Sequence, residues 1–138
     1  IRSGADVAKA MAMGADAVSI GSAAMIALNC NADMYPEDYE KLGTAAGYCH
    51  HCHTGKCPVG VATQDPELEK RLEPELAGKR VKNYLATLTL ELQTLARANG
   101  KSDVRNLEPE DLAALTVEAA AMARVPLAGT NWIPGHEL

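Results

Sequence analysis

Apolar residues recur at helical spacing near both ends of the chain and lose all regular spacing in the middle. Val7, Ala10 and Met11 form a short apolar face behind Ser3-Gly-Ala-Asp6. That S-x-x-D form predicts a helix capped by Ser3, with Asp6 facing the helix dipole. Gly14 stands where a left-handed closing residue is needed. Asp16-Ala-Val-Ser-Ile-Gly21 then reads as a short apolar strand ending in glycine, and residues 22–28 return to a helical composition. Loop, helix, strand, glycine, helix is the order of an α/β protein whose parallel strand is buried on both faces.

Residues 29–64 show no sustained period. Gly43, Gly47, Gly55, Pro58 and Gly60 punctuate them, which suits an irregular cofactor loop rather than a helix. A loop this long inside a compact domain needs a reason, and a bound group provides one. Asp65-Pro66-Glu67 is a helix start.

From Val81 the apolar positions Val81, Leu85, Leu88, Leu92 and Leu95 alternate four and three apart, a narrow amphipathic stripe stopped by Asn99-Gly100. Pro109-Glu110-Asp111 opens a second helix with Leu112, Leu115, Ala119 and Met122 on its face, ended by Pro126. The two predict a packed helical hairpin. The tail, residues 127–138, reads as an extended docking segment or a frayed end.

Composition narrows the classes. The 138 residues bury at most one modest core, and with no Phe its packing falls to Ala, Leu, Val and Met. A net charge of −5 with scattered Lys and Arg argues against nucleic acid and anionic membranes as partners. No apolar run approaches the ~20 residues that span a bilayer. The chain opens Ile1-Arg-Ser without Met or a leader pattern, and so reads as a cut or processed piece.

All four cysteines, Cys30, Cys49, Cys52 and Cys57, fall in one short stretch. Cys49-x2-Cys52-x4-Cys57, closed by Pro58, suits an iron–sulfur cluster, because one short loop wraps the cluster with the thiolates that iron–sulfide centres accept. Zinc is the main competitor: Cys49-x2-Cys52 is a knuckle that His50, His51, His53 or Cys57 completes, yet no second knuckle follows. Disulfides are arithmetically possible, but so compact a set staples little of the chain. Clustered free thiols point to a reducing, cytoplasmic compartment.

Two glycine sites suggest a phosphate. Ile1-Arg-Ser-Gly4 and Gly21-Ser22 each open a helix after an apolar segment. Free N–H groups at two such ends, with Arg2 as a fixed cation, make an anion cradle of the kind found after the last two strands of a (β/α)8 barrel. Glycine at such positions also serves as an ordinary cap or turn residue. Thr54-Gly55-Lys56-Cys57 is not a P-loop, since its glycine spacing is wrong and Cys57 replaces the Mg²⁺-binding hydroxyl.

Taken together, Ile1-Arg-Ser-Gly-Ala-Asp-Val-Ala-Lys-Ala10, Gly14-Ala-Asp-Ala-Val18, Gly21-Ser-Ala-Ala-Met-Ile26 and Cys52-His-Thr-Gly-Lys-Cys-Pro-Val-Gly-Val-Ala-Thr-Gln-Asp-Pro66 resemble the FMN domain of glutamate synthases. The resemblance is strong over residues 1–72 and looser over the late helices. It implies an α/β fold, the C-terminal portion of a (β/α)8 barrel that carries FMN beside an iron–sulfur cluster. Residues 1–28 would be the last two strand–helix units, 29–66 the cluster loop, and 67–138 a C-terminal helical extension. This chain would not close the barrel by itself. Arg2, Ser3, Gly4, Gly21 and Ser22 would hold the FMN phosphate.

Cys30, Cys52 and Cys57 match the family's three cluster cysteines, although many residues separate Cys30 from Cys52, and Cys49 is additional. A [3Fe-4S] cluster on Cys30 or Cys49 with Cys52 and Cys57, and a [4Fe-4S] cluster on all four, both remain open. His50, His51 and His53 are read as neighbours of the cluster or surface groups. The implied reaction is flavin hydride transfer to the imino acid of 2-oxoglutarate, giving glutamate. N-methylglutamate synthase, which uses methylamine, is the close alternative, and a zinc-stabilised binding module is the rival from another class. No residue of the chain identifies a catalytic acid or base. Implied partners are the remainder of the barrel, amidotransferase and electron-donor subunits or domains, and 2-oxoglutarate or glutamate.

Overall fold

The structure, a computed structural model, describes residues 1–136. The chain divides into two compact units, one of Ile1–Ser19 with the residues from Thr87 onward, the other Ile20–Ala86.

In the first unit, helix α1 (Gly4–Ala12) starts where the sequence predicts. Ser3 Oγ accepts the Asp6 N–H while the Asp6 carboxylate accepts the Arg2 and Ser3 N–H groups, a complete capping box. Gly14 closes the helix at φ 99°. Val7, Ala8 and Ala12 are buried on its inner face, and α1 packs on the 3-10 turns Val104–Asn106 and Pro109–Asp111.

Gly4 meets the long helix α5 (Pro74–Ala98) at its backbone. A Cβ on Gly4 would lie 2.5 Å from the Leu88 carbonyl oxygen and 2.6 Å from the Leu92 nitrogen, so only glycine permits this approach. Helix α5 begins at Pro74, a turn or two before the predicted stripe, because Pro74 and Glu75 make a good helix start. Of that stripe, Leu88 and Leu92 are buried, joined by Ala96, whereas Leu85 is exposed.

The predicted second helix of a hairpin is not formed as drawn. Pro109–Asp111 makes only a 3-10 turn, and Leu112 is extended at φ −110°, ψ 149°. Ala114 then pairs with the tail: its N–H donates to Pro126 O, and its carbonyl accepts from the Ala128 N–H. This parallel bridge to Leu127 takes the backbone groups a continuous helix would need. Helix α6 (Val117–Ala123) starts afresh behind Thr116, whose hydroxyl accepts the Ala119 N–H. Leu115 and Met122, expected on the core face, are 88% and 87% exposed, and the small residues Ala114 and Ala120 pack with Val125 instead. The tail docks through Leu127, which pairs with Ala114 and packs on Ala114, Ala120 and Val125. Its last two residues, Glu137 and Leu138, lie outside the described residues.

The second unit contains α2 (Ser22–Ala27), α3 (Pro36–Lys41), a 3-10 turn (Cys52–Thr54) and α4 (Pro66–Glu69), with the first part of α5. Asp65 caps α4 by accepting the Glu67 and Leu68 N–H groups, as its sequence predicts. Helix α3 is unexpected in a stretch without periodicity. It is short enough to form from Pro36 at its start, Glu37 and Asp38 in the first turn and Lys41 in the last.

The predicted buried strand over residues 16–21 is absent: the segment is irregular, and no strand occurs among the described residues. A lone strand has no ladder to join, so its apolar pattern alone cannot fix it. No helix among the described residues is long and apolar enough to cross a membrane.

Candidate metal centre

None of the four thiols is in a disulfide. Cys57 is buried in a small core with Tyr39 and Val59, against which Cys49 packs. Cys30 is half-buried, and Cys52, on its 3-10 turn, is exposed. The Cys57-Pro58-Val59-Gly60 run is buried throughout, and a Cβ on Gly60, at φ 77°, would lie 2.5 Å from Leu68 O. The loop therefore folds tightly behind Cys57.

Two side chains far apart in sequence hold this loop. Asn31, left-handed at φ 63°, accepts the Cys49 N–H on Oδ1 at 2.8 Å. Its Nδ2 donates to Cys49 O at 3.2 Å and to Cys30 Sγ at 3.7 Å. Arg71 Nη1 donates to Pro58 O and to Asp38 Oδ2, each at 2.7 Å, and its guanidinium lies over the Tyr35 ring. Tyr39 is buried and donates its hydroxyl to Ala32 O.

The electrostatics agree with one shared space. Burial pushes the Cys30 thiol up, and nearby Cys52, Cys57 and Cys49 raise it further, with the Asn31 hydrogen bond opposing. Burial, then Cys49, Cys57 and Cys30, push Tyr39 up to about 12. The Cys30 thiolate thus feels the other three, a repulsion that a bound cation would relieve.

His50 and His51 stack on each other, as do His51 and His53. His50 Nδ1 lies 3.2 Å from Tyr48 O. Among the described residues no three His, Cys, Asp or Glu side chains converge on a point that one metal ion would occupy. A zinc tetrahedron needs ligands ~2.0–2.3 Å from a single ion. The four free thiols within residues 30–57 are soft donors of the kind that iron–sulfur clusters accept.

The predicted phosphate residues differ in their state. The backbone N–H groups of Arg2 and Ser3 are held by the Asp6 carboxylate, and the Gly4 N–H donates to Glu91 Oε2 at 2.6 Å. The backbone N–H groups of Arg2, Ser3 and Gly4 are thus engaged by carboxylates. Gly21, by contrast, begins α2 with no side-chain cap, and a Cβ on it would meet nothing within 4 Å.

Asn31, Tyr39 and Arg71 were not predicted from sequence. Asn31 adjoins Cys30, and its place beside a candidate ligand is the only local signal it gives; Arg71 gives none.

The chain is similar to known proteins over most of its length. The conserved region in glutamate synthase matches residues 1–102. A "glutamate synthase large subunit-like protein" of Rhizobium meliloti is 64% identical over 135 residues, 98% of this chain and 30% of that protein. An "archaeal glutamate synthase [NADPH]" of Methanocaldococcus jannaschii is 44% identical over 107 residues, 78% of this chain and 18% of that one. An "archaeal-type glutamate synthase [NADPH]" of Dehalococcoides mccartyi is 39% identical over the same lengths. The chain thus spans less than a third of the length of these relatives. No solved structure matches it. With the conserved region covering most of its length, the chain belongs to the glutamate synthase family.

Proposed function

We propose that this chain is the iron–sulfur-bearing part of an FMN-dependent glutamate synthase-like oxidoreductase. Its substrate would be 2-oxoglutarate, reductively aminated to glutamate. The observation that carries the reading is the set of four free thiols within residues 30–57, with the cysteine segments held from behind by Asn31 and Arg71. When bound, the flavin supplies hydride transfer to the imino acid and the cluster conducts electrons to the flavin.

The chain's own residues hold and shield. Cys30, Cys49, Cys52 and Cys57 would ligate iron, while Tyr39, Pro58 and Val59 keep water from the Cys57 side. Exposed Cys52 would face the incoming cluster. Gly21 and Ser22 would approach the flavin phosphate through the uncapped start of α2. Residues 16–21 would become a strand when the complete protein supplies neighbours, closing a (β/α)8 barrel in a reducing cytoplasm. Further domains or subunits would deliver ammonia and electrons, since the relatives are far longer than this chain.

The test supplies the complete protein, shown to contain flavin and iron, with 2-oxoglutarate, ammonia and a reductant, and follows products by mass. Glutamate formation supports the reading. N-methylglutamate formed only with methylamine would move the assignment to the methylamine enzyme, and neither product would reject reductive amination.

A further inference from the structure

The sequence separates Cys30 from Cys49, and one side chain closes that gap. Every hydrogen-bonding atom of the Asn31 carboxamide is engaged there: Oδ1 with Cys49 N–H, Nδ2 with Cys49 O and Cys30 Sγ. The Asn31 carbonyl accepts the Gly47 N–H as well, so the same residue holds the approach to Cys49. Asparagine suits this place because it tolerates φ 63° and carries donor and acceptor on a short stem.

We propose that Asn31 is a positioning residue for the cluster: it fixes Cys49 beside Cys30, so that all four thiols ligate, and its N–H to the Cys30 sulfur tunes the reduction potential. This rests on the iron–sulfur reading above. Donation to a ligating sulfur draws electron density from the cluster and favours its reduced form. Aspartate would keep the acceptor for Cys49 N–H but lose both donors and add a negative charge. Glycine would keep the left-handed backbone and lose the whole carboxamide.

The test compares Asn31→Gly and Asn31→Asp with the wild type in the complete holoenzyme, purified without oxygen. Iron and acid-labile sulfide per chain and the cluster midpoint potential are read, with circular dichroism as the folding control. Wild type must first show iron and sulfide; a protein without them sinks the cluster reading itself, before any variant is made. Given a cluster, Asn31→Gly should lose most of its iron with its helical signal unchanged. Asn31→Asp should show a more negative midpoint or lose iron. A folded Asn31→Gly with wild-type iron, together with an Asn31→Asp variant of wild-type iron and potential, overturns the proposal and leaves the cluster reading standing. Should Asn31→Gly fail to fold, the neutral Asn31→Ser variant decides by its midpoint: a shift without added charge supports the proposal, and a folded variant with wild-type iron and potential overturns it.

Discussion

Arg71 and Pro58 are joined by a 2.7 Å hydrogen bond from Nη1 to the proline carbonyl, which ties the residue after Cys57 to a position 13 residues on. The same nitrogen reaches Asp38 of α3, and the ring of Tyr35 lies 4.1 Å beneath the guanidinium. The Pro58 segment and the start of α3 therefore share one cation. Asp38 is held below the usual carboxylate range by Lys41 and then Arg71.

Replacing Arg71 by Met should destabilise the loop by about 1–3 kcal/mol, the cost of losing charge-assisted hydrogen bonds to partly buried acceptors. Arg71→Lys should recover little, because an ammonium cannot both bond two acceptors in a fixed plane and stack on a ring. Denaturant unfolding, with amide exchange at Val59, Gly60 and Val61, checks this. Wild-type protection in Arg71→Met would show that the Pro58 bond carries no weight.

Gly4→Ala places a methyl 2.5 Å and 2.6 Å from backbone atoms of α5, which cannot move aside as a side chain can. The expected loss is about 1–3 kcal/mol, typical of overpacking. Thermal unfolding of Gly4→Ala against Gly21→Ala provides the internal comparison. Gly21 has open space at its Cβ, so its alanine variant should lose less than Gly4→Ala.

Short-range chemistry was legible in the sequence; long-range chemistry was not. The Ser3 capping box, the Asp65 cap, and the glycine stops at Gly14 and Gly100 each depend on neighbours within a few positions, and each forms. The strand over residues 16–21 and the helix through Leu112 and Leu115 were written in apolar pattern, but backbone partners decide both. In one case partners are missing, and in the other the tail provides competing ones. The cysteines were legible by spacing. What gathers them was not, because Asn31 and Arg71 act across 18 and 13 residues with no periodic trace.

Acid should loosen the start of α1. The Arg2 backbone N–H, then the Lys9 side chain, lower Asp6 to about 2, below its unfolded value. Its stabilising effect is therefore fully present above the unfolded carboxylate range and is lost as pH falls through about 2. Asp6→Asn should be less stable than wild type at neutral pH, and the difference should vanish in strong acid. Parallel stability curves for the two proteins across that range would contradict this.

Gly21→Val should empty the flavin site of the complete enzyme while leaving the fold intact. A Cβ on Gly21 meets nothing within 4 Å, so the new methyl groups would fill the space where a phosphate would approach. Flavin content per chain, by absorbance after denaturation, is the measurement. Full occupancy in a folded variant would make Gly21 an ordinary turn residue.

The central claim is that the thiols of Cys30, Cys49, Cys52 and Cys57 surround an iron–sulfur cluster. Its most direct test is the iron, zinc and acid-labile sulfide content of the complete protein purified without oxygen, alongside Cys52→Ser. The account predicts iron and sulfide in similar amounts in the wild type and their loss in Cys52→Ser, because ligand binding and loop order are coupled. Zinc without sulfide, or a Cys52→Ser variant with undiminished iron and sulfide, would contradict it.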